Sequence, residues 1–155
     1  MKSAVEIPRS FIAYLDRREE ILAAYIFGSV AAGKAHKFSD VDVALLLAEG
    51  IDRSQAWDFR IEAMDEAEMA FKRRADVAIL NQAGSVLKFQ TIHRGKLIFE
   101  RNRKARIGFE IQTRNEYFDY APYLNEQYRE LVKRVKTKGL GYGHQRLARA
   151  LAKTR

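Results

Sequence analysis

The 155-residue sequence contains no cysteine, two prolines and a single tryptophan. Without cysteine the chain has no disulfide framework, no thiolate zinc site and no thiol nucleophile, and it suits a reducing cytoplasm, where we expect it to act. No stretch approaches the ~18 apolar residues of a membrane span. The first residues, MKSAVEIPRSF, carry charge early and contain no long apolar stretch, so we expect neither a secretory signal nor membrane insertion.

Acidic residues are missing from one end of the chain. Residues 1–130 contain 20 basic and 20 acidic side chains, whereas residues 131–155, the basic tail, contain eight basic side chains and no acidic one. The formal net charge of +8 therefore belongs entirely to the basic tail. Such a tail can bind nucleic acid, a membrane surface or an acidic protein face, or it can be a solvated segment, and the sequence favours none of these.

The sequence does contain enough apolar material for a folded core. Hydrophobic residues make up 47% and charged residues 31% of the chain, which excludes a disordered protein. Its length fits one domain of the usual ~100–200 residues with an appendage. Glycines at 139, 141 and 143 mark the one candidate boundary. We expect a domain over residues 1–138 and a basic C-terminal extension over residues 139–155.

Hydrophobic periodicity predicts a succession of helices and strands. Helices are predicted over 8–21, 54–71, 86–93 and from 103 onward with an interruption near 121–122, and strands over 22–27, 42–47, 75–80 and 96–100. This order predicts an α/β (α+β) fold, a small sheet flanked by helices with a helical C-terminal part. In the second helix we expect Ser54 to cap the N-terminus and Trp57 to face the core.

A Gly-Ser pair follows the first predicted strand. Glycine at position 28 lets the backbone turn sharply and lets another group approach closely. If Ser29 opens a helix, its N–H and hydroxyl are available to an anion, and phosphate is the typical ligand of such a position. Gly28 and Ser29 are therefore candidate phosphate-binding residues.

Two aspartates stand two positions apart at the head of the second predicted strand, in the segment SDVDVALLL. Side chains so spaced leave a strand on the same face, so Asp40 and Asp42 repel each other unless a cation lies between them. Hard carboxylate oxygens suit Mg²⁺, which borrows further ligands from substrate phosphates. The alternative is that Asp40 caps the strand and Asp42 is a charge at a loop edge, and an Asp-x-Asp pair alone does not exclude it.

The Gly-Ser pair and the Asp-x-Asp pair together are a more specific signal than either pair alone. The segment IFGSVAAGKAHKFSDVDVALLL resembles the Gly-Ser…Asp-x-Asp motif of the DNA polymerase β-like nucleotidyltransferases. Within that superfamily it is most similar to the minimal nucleotidyltransferase (MNT) antitoxins that are paired with HEPN toxins. Residue 32 is alanine where that family commonly has a basic residue. The resemblance covers residues 20–135 and implies a small mixed β-sheet flanked by helices.

The resemblance also implies roles for individual residues. Asp40 and Asp42 would hold two Mg²⁺ ions, and Asp76, in the segment RRADVAILN, matches the third carboxylate of the family and would complete the second metal site. Gly28 and Ser29 would hold the β- and γ-phosphates of ATP. The implied reaction is an in-line displacement in which two metal ions stabilise the attacking and leaving oxygens.

The acceptor that the resemblance implies is a protein. In the MNT–HEPN pairing, AMP passes from ATP to a tyrosine hydroxyl of the HEPN ribonuclease toxin and neutralises it. This sequence lacks the toxin's Arg-x₄₋₆-His motif, because no arginine stands at that spacing before any of its three histidines. It therefore resembles the antitoxin, and we expect a hetero-oligomer with a HEPN-type toxin.

Three other functions stay open at this point. The same fold could neutralise a toxin by occlusion with little catalysis, it could modify a small molecule such as an aminoglycoside, or the basic tail could bind nucleic acid. The last ranks lowest, because nothing in the sequence resembles a helix-turn-helix. Aromatic residues of the C-terminal part could form a partner surface or pack against the sheet. They are Tyr117, Phe118, Tyr120, Tyr123 and Tyr128.

Overall fold

The structure is a computed structural model that describes residues 6–34, 36 and 39–138. Its elements are α1 (Arg9–Arg17), β1 (Ile21–Phe27), α2 (Gly28–Ala31), β2 (Val41–Leu47), α3 (Arg53–Phe71), β3 (Ala75–Ile79), α4 (Ser85–Arg94), β4 (Lys96–Glu100) and α5 (Arg103–Lys138), with a 3₁₀ turn at Leu80–Gln82. All four predicted strands are present, and none of their ends moves by more than one residue.

The four strands form one mixed sheet in the order β3-β2-β1-β4. β1 is antiparallel to both of its neighbours, whereas β2 and β3 are parallel. Parallel neighbours need a long crossover, and α3 supplies it. The predicted α/β fold with a small mixed sheet and flanking helices is confirmed.

Alternation of side chains gives the sheet two differently covered faces. On β2, Val43 and Leu45 belong to the larger core, to which α1 and α3 also contribute. Ala44 lies on the opposite face, in a smaller cluster against which Phe109 of α5 packs. Asp42 has the same parity as Ala44 and therefore lies on this second face, at the end of the strand.

Alanines form the face of α3 that packs on the sheet. Ala56, Ala63 and Ala67 are buried, whereas Trp57 is 56% exposed, so the prediction that Trp57 faces the core is wrong. Small side chains let a helix lie close to a sheet, and the bulkier apolar residues are then displaced to the sides of the contact.

The N-terminus of α3 begins earlier than predicted. Asp52, and not Ser54, is the N-cap residue. Its carboxylate accepts a hydrogen bond from the Gln55 backbone N–H at 2.9 Å, and the Gln55 side-chain oxygen accepts one from the Asp52 N–H at 3.1 Å. This reciprocal capping box satisfies two backbone donors, whereas a single serine cap satisfies one.

Helix α5 continues through Pro122, so the predicted interruption there is wrong. A proline inside a helix costs about 3 kcal/mol, but its fixed φ is compatible with helical geometry, so the helical turns on both sides can outweigh this cost.

The chain divides into two compact units after Tyr117. The predicted boundary at residue 139 and the C-terminal extension lie outside the described residues. No helix in the described part of the chain is long and apolar enough to cross a membrane.

An ion-pair network joins the start of α5 to the sheet. Arg106 pairs with Glu100 of β4 and, at 2.7 Å, with Glu110 one turn further along α5. Glu110 also accepts a hydrogen bond from the Tyr25 hydroxyl of β1 at 2.8 Å. Hydrogen bonds to Glu100 and Glu110 raise the pKa of Arg106, whose side chain is only 14% exposed. The network is therefore partly shielded from water at Arg106 and Glu110, whereas Glu100 is exposed.

Candidate functional site

The Gly-Ser pair stands at the end of β1. Gly28 has a φ of +67°, in the left-handed region that favours glycine, and the chain turns there directly into α2 with Ser29 half-buried. A Cβ built on Gly28 would overlap the Asp42 Oδ2 atom and lie 3.0 Å from Asp42 Cγ. The backbone conformation and the neighbouring carboxylate thus both require glycine at position 28.

Strand register brings the predicted site residues together. Phe27 pairs with Asp42 across β1 and β2, and Asp42 pairs with Asp76 across the parallel strands β2 and β3. Side chains at paired positions leave the sheet on the same face. Asp42 and Asp76 are therefore neighbours beside Gly28, while Asp40 is exposed one residue before β2.

Asp76 and Asp40 act electrostatically on Asp42. Burial is the largest cause that raises the pKa of Asp42, and the negative charges of Asp76 and then Asp40 raise it further. Carboxylates have this effect on one another when they are close together. The arrangement therefore has the electrostatic character of a cation site.

Asp76 is engaged at the outer edge of the sheet. Its Oδ1 atom accepts hydrogen bonds from the Val77 N–H at 2.9 Å and from Arg60 Nη2 at 3.0 Å. Among the described residues no group of three or more carboxylate or histidine side chains is arranged to hold a metal ion. The donor chemistry of Asp40, Asp42 and Asp76 suits Mg²⁺, since all of its oxygens are hard ligands. The magnesium site stays a prediction, and the contacts with Arg60 and Val77 engage only the Oδ1 atom of the Asp76 carboxylate.

Arg60 contacts three residues at the site, and it belongs to no sequence motif. Its Nε donates to the Val77 carbonyl at 2.6 Å, its Nη2 donates to Asp76, and its guanidinium lies 5.3 Å from the centre of the Trp57 ring. An arginine on an amphipathic helix usually indicates a solvated face. Only the position of α3 over the edge strand β3 gives this one a role at the site.

A cavity of about 850 Å³ lies at the same edge. Trp57 and Arg60 of α3 line it on one side and Leu87 of α4 on another, and Asp76 belongs to its lining. Sequence patterns do not indicate this cavity, because the residues that form it come from separate elements. It will be called the edge cavity.

A mixed sheet that sets a Gly-Ser turn beside paired strand aspartates defines a nucleotidyltransferase type of site. The family model described as "Polymerase beta, Nucleotidyltransferase" matches residues 10–104, which include β1 to β4. The chain belongs to this nucleotidyltransferase family, so the predicted superfamily and enzyme class are confirmed.

Similarity to individual proteins is more informative about activity than the match to the family model. The chain is 28% identical to the protein adenylyltransferase MntA of Shewanella oneidensis over 102 residues, which are 66% of this chain and 70% of that relative. A chain in the crystal structure of a toxin–antitoxin with AMP-PNP matches with a TM-score of 0.61 and 25% identity, covering 81% of this chain and 96% of that one.

A further solved structure is similar in fold. It contains a tri-AMPylated Shewanella oneidensis HEPN toxin in complex with an MNT antitoxin. The match has a TM-score of 0.55 and 23% identity and covers 81% of this chain and 92% of that one. The fold is thus that of chains found in toxin–antitoxin complexes.

Proposed function

We propose that this chain is an antitoxin nucleotidyltransferase that transfers AMP from ATP to a tyrosine hydroxyl of a HEPN-type ribonuclease toxin and thereby neutralises it. The observation that carries the proposal is the adjacency of Gly28, Asp42 and Asp76 on one face of the sheet. The similarity to a protein adenylyltransferase and to a chain of a toxin–antitoxin complex with AMP-PNP supports it.

The Gly28–Ser29 turn is the proposed phosphate-binding end of the site. A glycine without a side chain leaves its backbone open to close approach by phosphate oxygens, and backbone N–H groups in such turns bind anions. The Ser29 hydroxyl adds a donor. This end would hold the β- and γ-phosphates, which leave together as pyrophosphate.

Asp40, Asp42 and Asp76 are the proposed catalytic carboxylates and the ligands of two Mg²⁺ ions. Bound Mg²⁺ would supply charge stabilisation at the attacking and leaving oxygens. Asp76 accepts the proton of the tyrosine hydroxyl, whose oxygen forms a bond to the α-phosphorus while the bond to the β-phosphate oxygen breaks. The products are a phosphodiester between AMP and tyrosine, pyrophosphate and a proton, so the reaction balances.

The exposed aromatic side chains of α5 favour a protein partner. Phe118 and Tyr128 are 62% and 68% exposed, and exposed large aromatic side chains are typical of interfaces. Tyr117 is not part of this exposed set, because it stacks on Phe89 with 3.9 Å between ring centres.

A cytoplasmic location belongs to the proposal, because a chain without cysteine suits the compartment in which a ribonuclease toxin would act.

The decisive experiment is a label-transfer assay. The chain is incubated with ATP labelled at the α-phosphate, Mg²⁺ and the HEPN-type protein encoded beside it. We expect label that stays on the partner after denaturation and maps to a tyrosine. Asp42→Asn should lower the transfer rate by at least about 100-fold, because the remaining carboxylates cannot fix the reacting groups.

Asp65→Asn is the matched control, since Asp65 is an exposed aspartate on α3. It should leave the transfer rate unchanged. Full neutralisation of the partner without label would instead establish a binding module that acts by occlusion. Label on a small-molecule acceptor but not on the partner would replace the protein acceptor by a small one.

A further inference from the structure

Apart from Asp76, the residues that line the edge cavity take no part in the chemistry described above. It opens at the outer side of β3, the edge strand, between the first half of α3 and the start of α4. Its volume of about 850 Å³ falls within the range of roughly 300–1,000 Å³ typical of ligand pockets. A cavity of this size beside Asp76 can receive a large side chain together with its neighbours.

The order of the strands determines the order of groups along the site. Gly28 follows β1, Asp42 lies on β2 and Asp76 on β3, and these strands are consecutive neighbours in the sheet. An in-line displacement requires the attacking oxygen to lie opposite the leaving oxygen. If pyrophosphate leaves on the side of Gly28, the acceptor hydroxyl must arrive from the side of β3, which is where the edge cavity lies.

The walls of the edge cavity have a distinct chemistry. The exposed Trp57 indole offers a flat surface for an aromatic ring, and the Arg60 guanidinium lies over one part of it. Arg53, at the first position of α3, is exposed and lines the same cavity. Arg53 and Arg60 line the cavity together with the single carboxylate of Asp76, and Arg60 already pairs with that carboxylate. Arg53 therefore favours an acidic group near an aromatic ligand.

We propose that the edge cavity binds the tyrosine-bearing segment of the protein acceptor, with the tyrosine ring against Trp57 and an acidic side chain near Arg53. This inference rests on the proposed function, because it locates the acceptor of that reaction. Arg60 is then a positioning residue, since it holds the Asp76 carboxylate at the mouth of the cavity. The hydroxyl of a tyrosine seated there would face Asp76.

Kinetics of transfer to the HEPN-type partner test this placement. Trp57→Ala should raise KM for the partner by about tenfold or more, as expected for loss of an aromatic interface residue, while the affinity for ATP stays the same. Trp57→Phe, which keeps a ring, should recover most of the loss. Met69→Ala is the matched control, because Met69 is a large, 67% exposed apolar residue on the same helix.

Photo-crosslinking separates a failure of the inference from a failure of the proposed function. A photoreactive phenylalanine at position 57 should crosslink to the partner peptide that contains the labelled tyrosine. Transfer at the wild-type KM in Trp57→Ala, or a crosslink only to a different partner segment, would overturn the inference and leave the proposed function intact. A crosslink without any label transfer by the wild-type chain would overturn the proposed function and the acceptor role of the cavity, and would establish only a contact between Trp57 and the partner. If neither crosslink nor transfer occurs, both are wrong.

Discussion

The backbone of Gly28 lies against the carboxylate of Asp42, which leaves no room for a side chain at position 28. A side chain at position 28 would therefore have two separate energetic costs. An alanine would have to adopt a left-handed φ, at about 1–2 kcal/mol, and its Cβ would overlap the Asp42 Oδ2 atom. Only the second cost displaces a residue of the candidate site.

Gly28→Ala should abolish AMP transfer, and Gly50→Ala should not. Gly50 also has a positive φ, +84°, but a Cβ there would meet nothing within 4 Å. It therefore isolates the backbone cost of about 1–2 kcal/mol in the free energy of unfolding. Urea unfolding and the label-transfer assay measure the two effects. Equal loss of transfer in both variants would show that the contact with Asp42 is irrelevant.

Asp42→Asn should stabilise the metal-free protein at neutral pH while it abolishes transfer. The pKa of Asp42 is raised in the folded state by burial and by Asp76 and Asp40, so the unfolded chain loses this proton first as the pH rises. The destabilising contribution of Asp42 is therefore absent below its ordinary pKa and complete above the raised one. In EDTA, the variant should have the larger free energy of unfolding at pH 7, and the difference should vanish below about pH 4.

This stability measurement has an internal control. Asp65→Asn removes an equally charged but exposed carboxylate and should change the unfolding free energy little at either pH. Destabilisation of Asp42→Asn at neutral pH in EDTA would mean that the three aspartates do not repel one another as the geometry indicates.

Arg60→Ala should impair transfer more than stability. The ion pair with Asp76 is partly exposed, with 36% and 65% of the two side chains accessible, so its contribution to stability is at most about 1 kcal/mol. Its loss frees the Asp76 carboxylate, so kcat should fall while the affinity for ATP is retained. Arg60→Lys should recover only part of the rate, because one ammonium group cannot copy the two-nitrogen contact with Val77 and Asp76. Wild-type kcat in Arg60→Ala would contradict the positioning role.

Arg106→Met should destabilise the fold more than the loss of an exposed arginine does. It removes the charge-assisted hydrogen bonds to Glu100, which is exposed, and to Glu110, which is partly buried, and we expect a loss of about 1.5–3 kcal/mol. Arg103→Met, at an exposed position in the same helix, should change the unfolding free energy by no more than about 0.5 kcal/mol. Urea unfolding of both variants checks the contrast, and similar values would show that the network contributes little.

Truncation after Lys138 should weaken partner binding and leave nucleotide transfer unchanged. It removes the C-terminal extension and with it much of the positive charge of the basic tail. We expect ATP binding and nucleotide transfer chemistry to persist and binding to the partner or to a polyanion such as heparin to weaken. Calorimetry with ATP and with each binding partner measures this, and an equal loss of ATP affinity would place the extension in the active site.

Local sequence was sufficient to predict the strands and the grouping of Gly28 with Asp42. Short apolar runs bounded by glycine or charge define buried strands well, and the Gly-Ser and Asp-x-Asp positions lie close in sequence on consecutive strands. The pairing of Asp76 with Asp42 depends on the register of two parallel strands separated by a long crossover. Periodicity gives no such register, so Asp76 was found only through the family resemblance.

Helix α3 shows why other predictions were wrong. The periodicity of large apolar side chains favoured a face containing Trp57, but close packing against the sheet selected the alanines at 56, 63 and 67. The capping box at Asp52 and Gln55 begins just before the predicted helix, so the actual N-cap residue lies two positions before Ser54. The contacts of Arg60 and the formation of the edge cavity depend on where α3 lies on the sheet. Sequence patterns do not predict this placement.

The hydrogen bond from Arg60 to the Val77 carbonyl has a consequence for self-association. β3 is an edge strand, and exposed edges can pair with the edge of another molecule. At Val77 the carbonyl is occupied by Arg60 and the N–H by the Asp76 side chain, so neither group is open to a strand from a second copy. Arg60 thus also covers part of the β3 edge against pairing with a second copy, and we expect substitutions at Arg60 to reduce solubility as well as turnover.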